Sequence, residues 1–303
     1  YDSFNDRQKM SLHPDVEIAR YLVDYFRGDS TLDSAHGGTF RARNSKLGDI
    51  VHSAPVYFDY GNSGVVFVGA NDGMLHAFDA ETGREHFAYV PNLVLDNLSN
   101  LADAEYSHIF YVDNTPYVTD IGEKVLLVCG LGKGGKGYFC LDVTQVNGLT
   151  EADAGALVKW EYPADGDADL GYTFSRAYII NTKAAGWVVI FGNGYDSISG
   201  KAALYILNAD SGALIRKFDT GISGCNGLSS PAVIDIEYDG YVDYVYAGDL
   251  KGNLWKFDLT HHNSNDWKIS FSDGTIPQPL FTARNSDGGI QPITVSLDVM
   301  QSC

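Results

Sequence analysis

Short apolar runs that end in glycine recur along this chain. Each is followed by a glycine-rich polar turn and then by a second run in which apolar and polar residues alternate up to an Asp or Asn. Four stretches share the pattern: VFVGANDGMLHAFDAETG (66–83), LLVCGLGKGGKGYFCLDVT (126–144), VIFGNGYDSISGKAALYILNADSG (189–212) and VYAGDLKGNLWKFDLT (245–260). Gly69, Gly130, Gly192 and Gly248 anchor them, at spacings of 61, 62 and 56 residues. A run, a turn and an alternating run predict a β-hairpin, with glycines in the turn supplying φ > 0. A further apolar segment opens each unit, at 53–58, 116–121, 175–180, 230–236 and 291–297, and a fourth follows three of the hairpins, at 84–90, 157–162 and 213–218. Four strands per repeat of this length predict an all-β fold, a β-propeller of four-stranded blades like those of quinone-dependent dehydrogenases. Four repeats and the start of a fifth fit within 47–303. The chain begins at Tyr1 and stops within that fifth unit, so the expectation is a piece of a longer propeller.

Residues 1–46 have a different pattern. After His13, the stretch PDVEIARYLVDYFRGD places Val16, Ala19, Leu22, Val23 and Phe26 at helical spacing. Pro14 suits a first turn, Asp15 and Glu17 suit the helix dipole, and Gly28 suits its end. Residues 28–46 read as loop, and 91–115 as an insertion with a little helix around 93–101.

Composition sharpens this picture without altering it. The chain has 303 residues, 45% of them hydrophobic, with 33 glycines, 19 tyrosines and 15 phenylalanines, as expected of strands joined by tight turns. A formal net charge of −18 argues against nucleic acid and anionic membrane surfaces as partners and favours cations. No apolar run is long enough to form a transmembrane helix. Cys129, Cys140, Cys225 and Cys303 form no C-x-x-C pair, which removes zinc-ribbon, thioredoxin and c-type haem readings. If 126–144 is a hairpin, Cys129 and Cys140 fall within disulfide reach, and two buried thiols are the other reading. A Cys225–Cys303 pair is a further possibility.

The candidate chemistry is acidic. In DIEYDGYVD (235–243), Asp235, Glu237 and Asp239 alternate, Gly240 follows, Tyr241 offers a backbone carbonyl and Asp243 closes the loop. Alternate carboxylates, a glycine at the sharp turn and a following carbonyl are what a hard cation such as Ca²⁺ needs from one short loop. The twelfth position is Tyr246, so this is not an EF-hand, and a plain Asp-Gly hairpin remains the alternative. A second cluster, DGDADLG (165–171) with Asp165, Asp167 and Asp169, lacks the glycine and the ninth acid and reads as a solvated loop. Arg27-Gly28-Asp29 matches an integrin-binding tripeptide but falls where the helix should end, and His261-His262 lacks a third ligand nearby.

Several long strings resemble one family: LGDIVHSAPV (47–56), GANDGMLHAFDAETG (69–83), GLGKGGKGYF (130–139), DLGYTFS (169–175), FGNGY (191–195) and DGYVDYVYAGDLKGNLWKFDL (239–259). The resemblance is to the C-terminal propeller of PilC/PilY-type type IV pilus proteins, and it covers residues 20–303. It implies a pilus tip and assembly factor, secreted to the bacterial cell surface in association with the outer membrane. It also implies pilin-like and minor pilin subunits as partners, a role in adhesion to host or abiotic surfaces, and no enzyme activity. The family carries a calcium loop of the form D-x-D/N-x-D-G-x-x-D just before Y-A-G-D-L, where 235–243 stands here, with Glu237 in place of the shorter acid or amide and Tyr238 in place of a small residue. The alternatives are a quinone-dependent dehydrogenase and an envelope scaffold. The first would need a stacking Trp and a catalytic carboxylate beside calcium. Trp160, Trp187, Trp255 and Trp267 are accounted for as blade packing, and GLGKGGKG lacks the ending of a phosphate loop.

Overall fold

The computed structural model describes residues 1–163 and 166–300. They form two compact units, Tyr1–Asp113 and Asn114 onward. The fold is all-β and propeller-like, made of antiparallel sheets in which sequential strands are neighbours.

In the first unit, β1 (Val56–Asp59), β2 (Gly64–Gly69), β3 (Leu75–Asp79) and β4 (Glu85–Tyr89) pair in chain order. Phe67, Leu75 and Ala77 are fully buried in it. Two helices precede the sheet. The predicted one, α2 (Val16–Phe26), is capped by the Asp15 carboxylate, which accepts the Glu17 and Ile18 amides, so Pro14 lies before the cap rather than in the first turn. Its buried residues are Ala19, Leu22 and Tyr25, while Val16 is exposed. An unpredicted helix, α1 (Asp6–Leu12), starts at a reciprocal cap between Asn5 and Gln8. Leu22 and Tyr25 of α2 pack on Ala102 of the predicted insertion, whose helical turns run from Asn92 to Ala102 around α3 (Leu95–Leu98).

The second unit holds three sheets. The first joins β5 (Tyr117–Asp120), β6 (Val125–Gly130), β7 (Tyr138–Asp142) and β8 (Val158–Tyr162). The next joins β9 (Tyr178–Thr182), β10 (Gly186–Gly192), β11 (Ala203–Asn208) and β12 (Leu214–Asp219). The last joins β13 (Ala232–Ile234), β14 (Tyr244–Gly248), β15 (Asn253–Asp258) and β16 (Lys268–Ile269). After a two-stranded ribbon of β17 (Ser272–Asp273) and β18 (Ile276–Pro277), β19 (Phe281–Thr282) also pairs with β15. The fourth-strand position of this sheet is thus shared by two short pieces. No strand forms over 291–297, although the Ile293 amide donates to the Asp249 carbonyl at 3.0 Å.

The middle sheet is buried on both faces, which is why its central strands read as unbroken apolar runs. Val189, Phe191, Tyr205 and Leu207 pack with Val128, Tyr138 and Trp160 of the preceding sheet. Val188, Ile190, Leu204 and Ile206 pack with Val245, Trp255, Phe257 and Trp267 of the following one. Burial of this kind contributes about 25 cal/mol per Å² of apolar surface.

The anchor glycines are required for close approach. A Cβ on Gly192 would lie 2.3 Å from the Ser229 carbonyl oxygen, and one on Gly69 2.4 Å from that of Val112. In both cases the obstacle is the segment that leads into the next repeat. In three of the four sheets an opening serine secures the same strand end: Ser53 accepts the Gly69 amide, Ser175 that of Gly192 and Ser229 that of Gly248.

Of the two readings of Cys129 and Cys140, the structure bears out the buried thiols and not the disulfide. Cys129 lies opposite Phe139, and Cys140 opposite Val128. The one-residue offset points the two thiols to opposite faces of the sheet, so both are free and buried. Cys225 is free and exposed, and its suggested partner Cys303 lies outside the described residues, as does Asp165 of the second acidic cluster.

Candidate functional site

The loop 235–243 joins β13 to β14, where a reversal of the chain is needed whether or not an ion binds. Its tip is shaped by two left-handed residues, Tyr238 at φ 57° and Gly240 at φ 86°. Tyrosine adopts that conformation rarely, and here the residue is 79% exposed. Asp235 holds the turn from inside: one oxygen accepts the Asp239 amide at 3.2 Å and the other the Gly240 amide at 2.7 Å.

The remaining acids divide their oxygens in a consistent way. Asp239 Oδ1 accepts the Tyr241 amide at 3.1 Å, and Asp243 Oδ2 accepts the Ile236 amide at 2.9 Å. Their other oxygens face one positive charge, the Lys183 ammonium, at 3.0 Å for Asp239 and 3.6 Å for Asp243. Glu237 Oε2 joins them at 3.1 Å, so its longer side chain does reach this point. Asp243 is buried, Asp239 is at the margin of exposure and Glu237 is open to solvent. Hydrogen bonds from Lys183 hold Asp239 below the usual carboxylate range, and those same bonds to Asp239 and Glu237 raise the lysine above its ordinary value.

Lys183 belongs to the turn between β9 and β10, in the neighbouring sheet. Thr182 braces that turn, its hydroxyl donating to the Gly186 carbonyl and accepting the Ala185 amide. The Val242 amide donates to the Asn181 carbonyl at 2.9 Å, which ties the acidic loop to β9. Nothing in the sequence pattern marked Lys183, because its partners lie some 54 residues away and meet it only through sheet stacking.

The donors are of the kind a hard cation takes: three carboxylates face one ammonium, and backbone amides take the other oxygen of Asp239 and Asp243. Among the described residues, no three His, Cys, Asp or Glu side chains are gathered around a metal-sized point. The acids of this loop are gathered around an ammonium, whose contacts are longer than the roughly 2.3–2.6 Å of calcium–oxygen bonds.

The other candidates resolve into structural parts. Asp167 accepts the hydroxyls of Tyr205 at 2.8 Å and Tyr162 at 3.2 Å, and Lys217 pairs with Asp169 at 2.6 Å. Gly28 lies at φ 102° just beyond α2, and Asp29 accepts the Thr31 amide. His261 pairs with Asp266 at 3.2 Å. GLGKGGKG spans the β6–β7 hairpin, with no helix after it. Trp160, Trp255 and Trp267 are buried in the stacked sheets. Sequence reasoning also missed Asp249, a fully buried carboxylate that accepts five donors: the Lys251 and Asn253 amides, the Asn253 and Asn226 side-chain amides and the Trp255 indole.

Comparison with known proteins agrees with this architecture. The chain is 42% identical to a type IV pilus biogenesis factor PilY1 homolog of Xylella fastidiosa, over 92% of this chain and 22% of that protein. It is 37% identical to the type IV pilus biogenesis factor PilY1 of Pseudomonas aeruginosa strain UCBPP-PA14, over 90% of this chain and 27% of that protein. It therefore spans about a quarter of the length of these relatives. The crystal structure of the Pseudomonas aeruginosa PilY1 C-terminal domain superposes with a TM-score of 0.63 at 37% identity, covering 77% of this chain and 49% of that one. Residues 48–302 match the family described as the PilY1 beta-propeller domain, and the chain belongs to that family.

Proposed function

We propose that this propeller is part of a type IV pilus biogenesis factor that works at the bacterial cell surface, at or near the pilus tip, and that the loop 235–243 gives it a calcium site. The first half of the reading is carried by the 37–42% identity to PilY1 proteins over nine-tenths of the chain. The second is carried by the convergence of Glu237, Asp239 and Asp243 on one cationic point.

Asp239, Asp243 and Glu237 would supply carboxylate oxygens to the ion and Tyr241 its carbonyl, while Asp235 keeps the turn in shape. Bound calcium supplies a divalent charge that neutralises clustered carboxylates. The chain's own part is to hold the loop on β9 through Val242 and to aim one oxygen of each acid inward. Loop order then biases the surface offered to the pilus machinery, in proportion to how far calcium exceeds its Kd. Pilin-like and minor pilin subunits are the expected partners, and adhesion to host or abiotic surfaces is the expected outcome.

Two measurements test these halves. Isothermal titration of Ca²⁺ into the chain should give one site that Asp239→Ala abolishes. Pull-down from cells expressing the full-length factor should recover pilin-like subunits. Equal heats in wild type and variant would remove the calcium site, and absence of pilins from the pull-down would favour an envelope scaffold.

A further inference from the structure

We infer that Lys183 is a tethered counterion of the acidic loop, occupying the place of the ion in its absence, and that calcium must expel it to bind. This inference rests on the calcium reading above.

Three observations carry it. The ammonium lies within 3.0–3.6 Å of one oxygen each from Asp239, Glu237 and Asp243, the same oxygens that the loop's amides leave free. It is not a stray surface lysine. Its side chain is only 18% exposed, and it comes from a turn closed by Thr182 and fixed to the loop by the Asn181–Val242 hydrogen bond. Finally, two cations cannot share this position. A divalent ion and an ammonium a few ångströms apart repel each other in proportion to the product of their charges, and calcium needs those oxygens closer than an ammonium does.

The arrangement has two effects. Without calcium, four acids in nine residues are partly neutralised, so the turn keeps its shape and the fold does not depend on the ion. With calcium, the ion must replace contacts that already exist, so its affinity is set by a residue outside the loop. The displaced lysine gives up the ion pairs that join the β9–β10 turn to the loop, while the Asn181–Val242 hydrogen bond is kept. Lys183 is thus a positioning and affinity-setting residue for the ion, and binding at one sheet is reported at the next.

The test uses Lys183→Met, which keeps the apolar stem and removes the charge, alongside Lys183→Arg. Calorimetry with CaCl₂ should show Lys183→Met binding about tenfold more tightly than wild type, with Lys183→Arg remaining near wild type. On the unmodified chain, acylation of Lys183 followed by mass spectrometry should quicken severalfold on adding calcium, with Lys217 as the internal reference. Equal calcium affinity in wild type and Lys183→Met, or unchanged Lys183 labelling in calcium-bound wild type, overturns the inference and leaves the calcium site standing. If neither protein binds calcium, both readings fall together. The labelling needs no variant, so it decides the matter even if Lys183→Met folds poorly.

Discussion

Two acidic clusters in the second unit look alike in sequence and behave differently in the fold. In 235–243 Asp239 and Asp243 keep one oxygen for the backbone and turn the other toward a single cation. In the second cluster Asp167 is spent on its neighbours: two tyrosine hydroxyls and the Asp169 amide take its oxygens, and Lys217 seals Asp169. Both clusters contain a lysine, so the presence of a counterion does not separate them. What separates them is number: three carboxylates meet Lys183, whereas Lys217 meets two, Asp169 at 2.6 Å and Asp167 at 3.8 Å. Acidic density alone therefore does not say how many carboxylates a cation meets; the direction of the second oxygen does.

That contrast can be broken most directly at Asp239. Asp239→Ala should weaken calcium binding at least a hundredfold by calorimetry, yet barely move the urea midpoint, because its ion pair is exposed to solvent. A third carboxylate pair offers a control with a cation that titrates. In the first unit His76 is buried between Asp72 at 3.0 Å and Glu85 at 2.6 Å. Burial alone would lower its pKa, but hydrogen bonds to Asp72 and Glu85 override that and raise it to about 9. The charged form is thus favoured by folding. The gain is full below pH 6.5 and fades as pH rises toward 9, by on the order of 3 kcal/mol. Urea midpoints should fall over that range in wild type and stay flatter in His76→Gln, whereas the lysine-filled clusters should not respond.

Smaller effects sharpen the contrast further. Tyr205→Phe removes a hydroxyl from Asp167 and should cost about 1–2 kcal/mol while leaving calcium affinity unchanged. Glu237→Gln should do the reverse, lowering calcium affinity about threefold with no measurable loss of stability, since the side chain is largely in solvent. A large stability loss in Glu237→Gln would mean that the loop is a structural plug like its counterpart.

The hairpins and fourth strands were legible because a sheet buried on both faces demands apolar runs, and one buried on a single face demands alternation. The turn at 235–243 was legible by its Asp-Gly pair, and Glu237 is long enough to reach the Lys183 ammonium with Asp239 and Asp243. Four features were not. The split between β16 and β19 depends on a ribbon with too few residues to show a period. The Cys129–Cys140 relationship turned on a register shift of one residue, which composition does not encode. Lys183 sits in an ordinary Thr-Lys-Ala-Ala-Gly turn, and only the stacking of one sheet on the next gives it a role. Helix α1 was missed although its Asn5–Gln8 capping signature was present, because it buries only Leu12.

The tight fit of Gly69 and Gly192 against the segment after their own sheet changes where this chain should be cut and joined. The natural exchangeable piece is a sheet together with the lead-in to its successor, offset from the repeat seen in the alignment of runs. The compact first unit follows this rule, extending past its sheet to Asp113 and including Val112, the residue against which Gly69 is fitted. Chimaeras of related propellers joined just before a first strand should therefore keep both halves of each fitted pair from one parent. Those joined in the middle of the inter-repeat segment would mate a glycine with a foreign backbone and forfeit the match.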